Sequence, residues 1–209
     1  MSRSSPVPVA APGGSPPRTL QERVREAILE AAASVFAAEG EKANVADVAA
    51  AAGVARATVY RYFGTRAALL EELARLAVAR AGERLASARV DEVGAAEGVA
   101  RAVRAMIDVG DLFVVLARER VSPDAGAYER SLAAPLRRRV ERGQRAGELR
   151  QDVPPSWLSE SLVGLVVAIL AARPAGGRED AAAAAASLFL DGTRGRRAAF
   201  PGRTDTGGG

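Results

Sequence analysis

An all-helical fold is predicted by three features of the chain. Hydrophobic residues make up 48% of the composition but aromatics only 4%. Much of the apolar content is alanine, the strongest helix former because its side chain loses no rotamer entropy on ordering. Runs of alternating β-branched and aromatic residues, which strands need, are missing. Apolar residues instead recur every three or four positions, between capping residues and glycines.

The elements follow in order. Residues 1–18 carry Pro6, Pro8, Pro12, Pro16 and Pro17 and few large apolar groups, so a disordered tail is expected there. The first helix starts at the capping box Thr19-Leu-Gln-Glu22. Leu20, Val24, Ile28, Val35 and Phe36 share one of its faces, and Gly40 closes it. Asn44 caps a second helix, with Asp47 in its first turn where the helix dipole favours an acid. Val45, Val48, Ala49 and Ala52 form its inner face. Gly53 ends it with an expected positive φ, and Val54 plugs the corner that follows. A third helix over about 56–62 turns Val59 and Phe63 inward. Thr65 then caps a long fourth helix carrying Leu69, Leu70, Leu73, Leu76 and Val78.

Later helices are expected near 95–109, 111–121, 126–146, 155–172 and 178–199. Gly94, Gly110, Ser122-Pro123, Gly147, Pro154-Pro155 and the stretch Pro174 to Gly177 separate them. Pro135 lies inside the third of these and should kink or split it. From Pro201 the chain is polar and Gly-rich, and 201–209 is expected to fray.

Composition excludes several classes of function. The 29 basic and 25 acidic residues leave a net charge of only +4. The sequence pI of about 10.2 therefore overstates the basicity, and net charge is weak support for a nucleic-acid partner. Without Cys there are no disulfides and no thiolate metal sites; without His the usual general base and the commonest metal ligand are gone. No carboxylate, Arg, Ser or Tyr pair has motif-like spacing, so neither enzyme chemistry nor a metal or other cofactor is expected. The longest apolar run, Leu162 to Ala172, falls short of the ~20 residues that span a bilayer. The N-terminus lacks a signal-peptide core. A soluble cytoplasmic protein with no membrane partner is expected.

Function is concentrated in residues 44–66. Two short helices pivoting on Gly53 have the form of a helix-turn-helix, and the second is crowded with Arg, Thr and Tyr. With Val59 and Phe63 inward, Arg56, Ala57, Tyr60 and Arg61 fall on the outer arc. Arg on guanine O6/N7 is the commonest specific base contact, which suits Arg56 and Arg61. Ala57 is small enough to meet a thymine methyl. Thr58, Tyr60 and Tyr62 bring hydroxyls suited to phosphate oxygens, and Arg66 adds charge in the first turn of the next helix. Helix-start amides at Asn44–Ala46 and Thr65–Ala67 suit further phosphates. The bland alternative is a solvated face on an ordinary bundle.

The stretches Ile28 to Phe36, Gly40, Val48-Ala-Ala-Ala-Ala-Gly-Val54, Thr58-Val-Tyr60-Arg-Tyr62-Phe63 and Leu69 resemble, in register, the N-terminal domain of the TetR family of transcriptional regulators. A looser likeness to the family's C-terminal region runs from Leu136 to Asp152. The resemblance implies a three-helix helix-turn-helix DNA-binding domain at 19–66. A long helix joins it to a helical ligand-binding and dimerisation domain at 67–200. Base contacts carried over fall on Arg56, Ala57 and Arg61. Backbone contacts fall on Thr58, Tyr60, Tyr62 and Arg66, with Asn44 and Val45 at the start of the preceding helix. Ala55 departs from the family's usual Ser or Thr and can neither cap nor touch phosphate.

The same resemblance implies a repressor that binds a palindromic operator as a homodimer and is released by a small-molecule effector. Its dimer helices would be 155–172 and 178–199, with plain core packing in the monomer as the alternative. Met106, Phe113, Val114 and Leu116, with Tyr128 and Trp157 as polar-tipped aromatics, are candidate pocket residues, each also readable as core. A helical dimer that has lost specific DNA binding and acts through a protein partner is the rival reading, resting on Ala55.

Overall fold

The computed structural model describes residues 19–172 and 176–194. The two expected tails, and the predicted helix beyond residue 194, lie outside these. Among the described residues the chain is helical throughout, with a lone bridge between Leu149 and Arg194.

Helix α1 (Leu20–Glu39) begins at Thr19, whose hydroxyl accepts the Glu22 amide while the Glu22 carboxylate accepts the Thr19 amide. Helices α2 (Val45–Ala51), α3 (Arg56–Phe63) and α4 (Arg66–Ser87) follow with short joints. The predicted stripes meet in one core that holds Ile28, Phe36, Val48, Val59, Phe63, Leu69 and Leu73. Each such side chain contributes about 1.5–3 kcal/mol on burial. Two expectations are sharpened here. Leu20 points outward from its end of α1, and Leu76 is only half-buried.

Helix α5 (Ala95–Ile107) is joined by a tight corner to α6 (Gly110–Glu119). Helix α6 belongs to both halves of the molecule. Leu112, Val115 and Leu116 enter the first core, and Phe113 packs against both that core and a second one. The second core is built from α5, the far half of α4, α8 (Ala134–Arg145), α9 (Pro155–Ala171) and α10 (Arg178–Thr193).

The helix predicted over 126–146 is resolved in three parts. A short α7 (Ala125–Tyr128) widens into a π turn over Glu129–Ala133 and tightens again as α8. Pro135 therefore sits at the start of α8, where its missing N–H costs little, and the wide turn before it absorbs the mismatch. Past α8, Gly147 turns with φ +72° and Gln144 donates to the Arg150 and Val153 carbonyls. Those bonds carry the chain into α9.

Arg139 is buried at 5% exposure against Gly98 of α5. Burial holds its pKa below the usual arginine value, partly offset by the nearby Glu148 carboxylate. Glu148 in turn accepts the first amide of α5 at 2.6 Å, in place of a side-chain cap from Gly94.

Helices α9 and α10 lie side by side at the far end. Leu158, Leu162 and Val166 face the core, while Leu165 and Ile169 are half-buried. Trp157, Ser161, Gly164 and Ala168 are exposed on α9, as are Ala183, Ala184, Ser187 and Leu188 on α10. Leu188 is 61% exposed, whereas Phe189 beside it is buried at 5%.

Candidate nucleic-acid interface

The recognition unit is assembled by local chemistry. The Asn44 side-chain oxygen accepts the amides of Ala46 at 2.7 Å and Asp47 at 3.3 Å, and Asp47 returns the bond to the Asn44 amide. Gly53 adopts φ +65°, a conformation that costs other residues a steric clash. Its turn lets the Val54 amide reach the Ala49 carbonyl at 3.0 Å and sets Val54 against the core. Helix α3 then rests on two anchors, Val59 at 2% and Phe63 at 7% exposure. Thr65 caps α4 through the Ala68 amide.

With those anchors inward, Arg56, Ala57, Tyr60 and Arg61 are exposed together, and Thr58 and Tyr62 are half-buried beside them. Arg56 donates to the Tyr60 hydroxyl at 3.3 Å, and its guanidinium lies 5.4 Å from the Tyr60 ring centroid. That bond pushes the Arg56 pKa further above its ordinary value, so the charge is permanent. Arg61 lies over the Tyr62 ring at 5.5 Å. Both arginines thus rest against a tyrosine ring on the same exposed side of α3, contacts of about 0.5–1 kcal/mol each at an exposed site.

Of three sequence-derived residues, Val45 and Ala55 stand as expected and Arg66 does not. Val45 is 5% exposed, because the first residue of α2 faces α1, so it offers an approaching ligand backbone only. Ala55 has the extended backbone of a cap, φ −68° and ψ 146°, but no side-chain bond. Arg66 is engaged inside the protein: two of its nitrogens donate to the two Glu119 oxygens at 2.8 and 2.9 Å. Its guanidinium also lies 5.0 Å from the Phe36 ring centroid. Glu119 had no signal in the sequence, since it lies 53 residues away on α6.

Of the five candidate pocket residues, Met106, Phe113 and Tyr128 meet in or against the second core, while Leu116 and Trp157 lie apart. Met106 is buried in the second core and Leu116 in the first, because the Leu116 face of α6 is turned toward α1 and α4. Phe113 bridges the cores, Tyr128 donates to Glu160 at 3.0 Å, and Trp157 points outward at 62% exposure. Val114, weighed with them, is buried at 4% exposure. Burial beside Glu160 also raises the Tyr128 pKa well above the usual phenol value. A cleft of about 740 Å³ lies elsewhere. It runs between α4 and the π turn, over Leu85, Val90 and Pro135, with Arg130 and Arg138 along its side.

Comparison with known proteins gives a consistent picture. Residues 28–73 match the model of bacterial regulatory proteins of the tetR family. The HTH-type transcriptional repressor LfrR of Mycolicibacterium smegmatis is 35% identical over 145 residues, spanning 66% of this chain and 72% of LfrR. The crystal structure of LfrR, solved in complex with proflavine, is similar with a TM-score of 0.69 and 28% identity, over 82% of this chain and 97% of that one. SCO0520 of Streptomyces coelicolor, a TetR transcriptional regulator, is similar with a TM-score of 0.56 and 29% identity, over 82% and 98%.

Proposed function

The chain belongs to the tetR family of bacterial regulatory proteins and is a DNA-binding transcriptional regulator, and from that premise we propose that it represses transcription as a homodimer on a palindromic operator. The observation that carries this is the outward row Arg56, Ala57, Tyr60 and Arg61 on a helix anchored by Val59 and Phe63. Arg56 and Arg61 read base edges, with Ala57 permitting close approach. Thr58, Tyr60 and Tyr62 touch phosphates and set register, as do the Asn44 side-chain amide and the Val45 backbone amide at the start of α2. Residues 19–66 form the reading unit, and 67–200 the regulatory one.

Homodimerisation uses the exposed faces of α9 and α10. Gly164, Ala168, Ala183 and Ala184 allow close helix approach, and Trp157 and Leu188 supply apolar area that the single chain leaves in water. A small-molecule effector releases the DNA, as suggested by LfrR, whose structure holds proflavine. The 740 Å³ cleft beside α4 has a suitable size for such a ligand. The ligand can act only by binding the DNA-incompetent arrangement more tightly than the competent one. The site of action is the cytoplasm; none of the described helices is long and apolar enough to cross a membrane.

Selection of bound fragments from random DNA tests the proposal. A palindromic site with half-sites about 34–36 Å apart is the expected result. No enriched sequence, with an affinity indifferent to salt, would favour the interaction-protein reading.

A further inference from the structure

We propose that Glu119 is a positioning residue for DNA binding: its carboxylate occupies the Arg66 guanidinium in the manner of a DNA phosphate, and a backbone phosphate must displace it. The inference rests on the DNA-binding reading above and goes beyond it.

The two partners come from opposite halves of the molecule. Arg66 is the first residue of α4, directly after the Gly64–Thr65 joint that ends α3. It sits at the positive end of a 22-residue helix, where unpaired amides and the dipole favour an anion. Arg61 and Tyr62 lie five and four residues before it, across the Gly64–Thr65 joint, so a DNA backbone held by the end of α3 would be offered Arg66 next. Glu119 is the last residue of α6, on the regulatory side.

The geometry is that of a filled site. Two parallel N–H···O bonds of 2.8 and 2.9 Å satisfy the fork as a phosphate would. The Phe36 ring backs the guanidinium from the other side. The pair is unequally hydrated: the Arg66 side chain is 38% exposed but that of Glu119 only 12%. Arg66 can thus be reached from solvent, while Glu119 would be left largely desolvated if its partner departed. In the wild-type chain much of the gain from an Arg66–phosphate contact is offset by the broken pair. Arg118, next along α6, donates to the Ala37 carbonyl at 3.5 Å, so the same end of α6 also holds the end of α1.

The test measures duplex affinity by fluorescence anisotropy between 50 and 200 mM salt for wild type, Glu119→Gln, Arg66→Ala and the double variant. Each phosphate neutralised adds about 0.9 to the slope of log K against log salt. Glu119→Gln should tighten binding to specific and random duplexes alike and steepen the slope by about 1.8, one phosphate for each Arg66 of the homodimer, an extra loss of about 12-fold across that fourfold salt range. In the Arg66→Ala background the same change should have no effect. Glu119→Asp keeps the charge but cannot span the fork. It should move in the same direction, and it serves if the Gln variant folds poorly. An unchanged slope, or weaker binding on loss of Glu119 with wild type still binding normally, would overturn the proposal. Wild-type binding with no salt dependence would instead remove the DNA-binding reading beneath it.

Discussion

Ala55→Ser should stabilise the protein, and the amount can be worked from the structure. Thr19, Asn44 and Thr65 each cap their helix with a side-chain oxygen, so α3 alone among the first four helices has a bare start. The backbone at Ala55 already has cap geometry, φ −68° and ψ 146°, and the residue is exposed, so Ser fits without rearrangement. Replacing Ala by Ser at a cap is worth about 0.5–2 kcal/mol. The Thr58 amide already reaches the Ala55 carbonyl at 2.8 Å, which leaves less to gain and puts the expectation at about 0.5–1 kcal/mol. For a chain of this size that corresponds to a Tm rise of about 1–4 °C. Thermal unfolding followed by circular dichroism reads it, with Ala55→Val as the control that adds bulk but no acceptor. A Ser variant no more stable than wild type, or a Val variant that gains equally, would refute the capping argument.

Other outcomes follow from single residues. Arg56→Ala or Arg61→Ala should cost about 1–3 kcal/mol on the selected site and relax base preference there; equal losses on random duplexes would reassign the residue to phosphate. Gly98→Ala gains about 1 kcal/mol of helix propensity. The new Cβ, however, would lie 2.3 Å from Arg139 Nε and 2.8 Å from the Val90 carbonyl, with Arg139 too buried to step aside. Net destabilisation of about 1–3 kcal/mol is expected, and a raised Tm would count against it. Tyr128→Phe loses the bond to Glu160 and should cost about 1 kcal/mol at neutral pH. Because burial and Glu160 raise the folded-state pKa of Tyr128, its stabilisation is complete below the unfolded value near ~10 and is lost as pH rises past it. The Phe variant should therefore lose stability less steeply in alkali; an identical slope would exclude Tyr128 as the titrating group.

What the sequence made legible was chemistry acting over a few residues. The boxes at Thr19 and Asn44, the cap at Thr65 and the positive φ of Gly53 each depend on neighbours within about one turn. The outward arc of α3 was equally readable, because two apolar residues four apart fix the orientation of an eight-residue helix. How the candidate pocket residues would be distributed between the two cores was not. Helices such as α6 carry apolar residues on more than one face, and periodicity cannot say which face meets which partner. Leu116 met α1 and α4, Met106 the second core, and Trp157 none of the described core. The Glu119–Arg66 pair was hidden for a related reason: charged residues at helix ends look solvated until the chain brings them together.

The composition of the two cores limits how the recognition helix can move. Leu69, Leu70, Leu73, Ala74 and Ala77 of α4 share the first core with Val59 and Phe63 and with the inner faces of α1 and α2, so α3 is packed into one body with all three. Peeling α3 away would expose both anchors at about 1.5–3 kcal/mol each, with no compensating surface in the described chain. Leu112, Val115 and Leu116 bind α6 to the same core at a similar cost per side chain. A well-packed interior resists gradual deformation. A signal from the second core must therefore turn α1–α3, the first half of α4 and the end of α6 as one body. The two cores touch around Phe113 and the middle of α4. The cleft beside Gly82, Leu85 and Ala86 lies on α4 just beyond that junction, on the side of the second core.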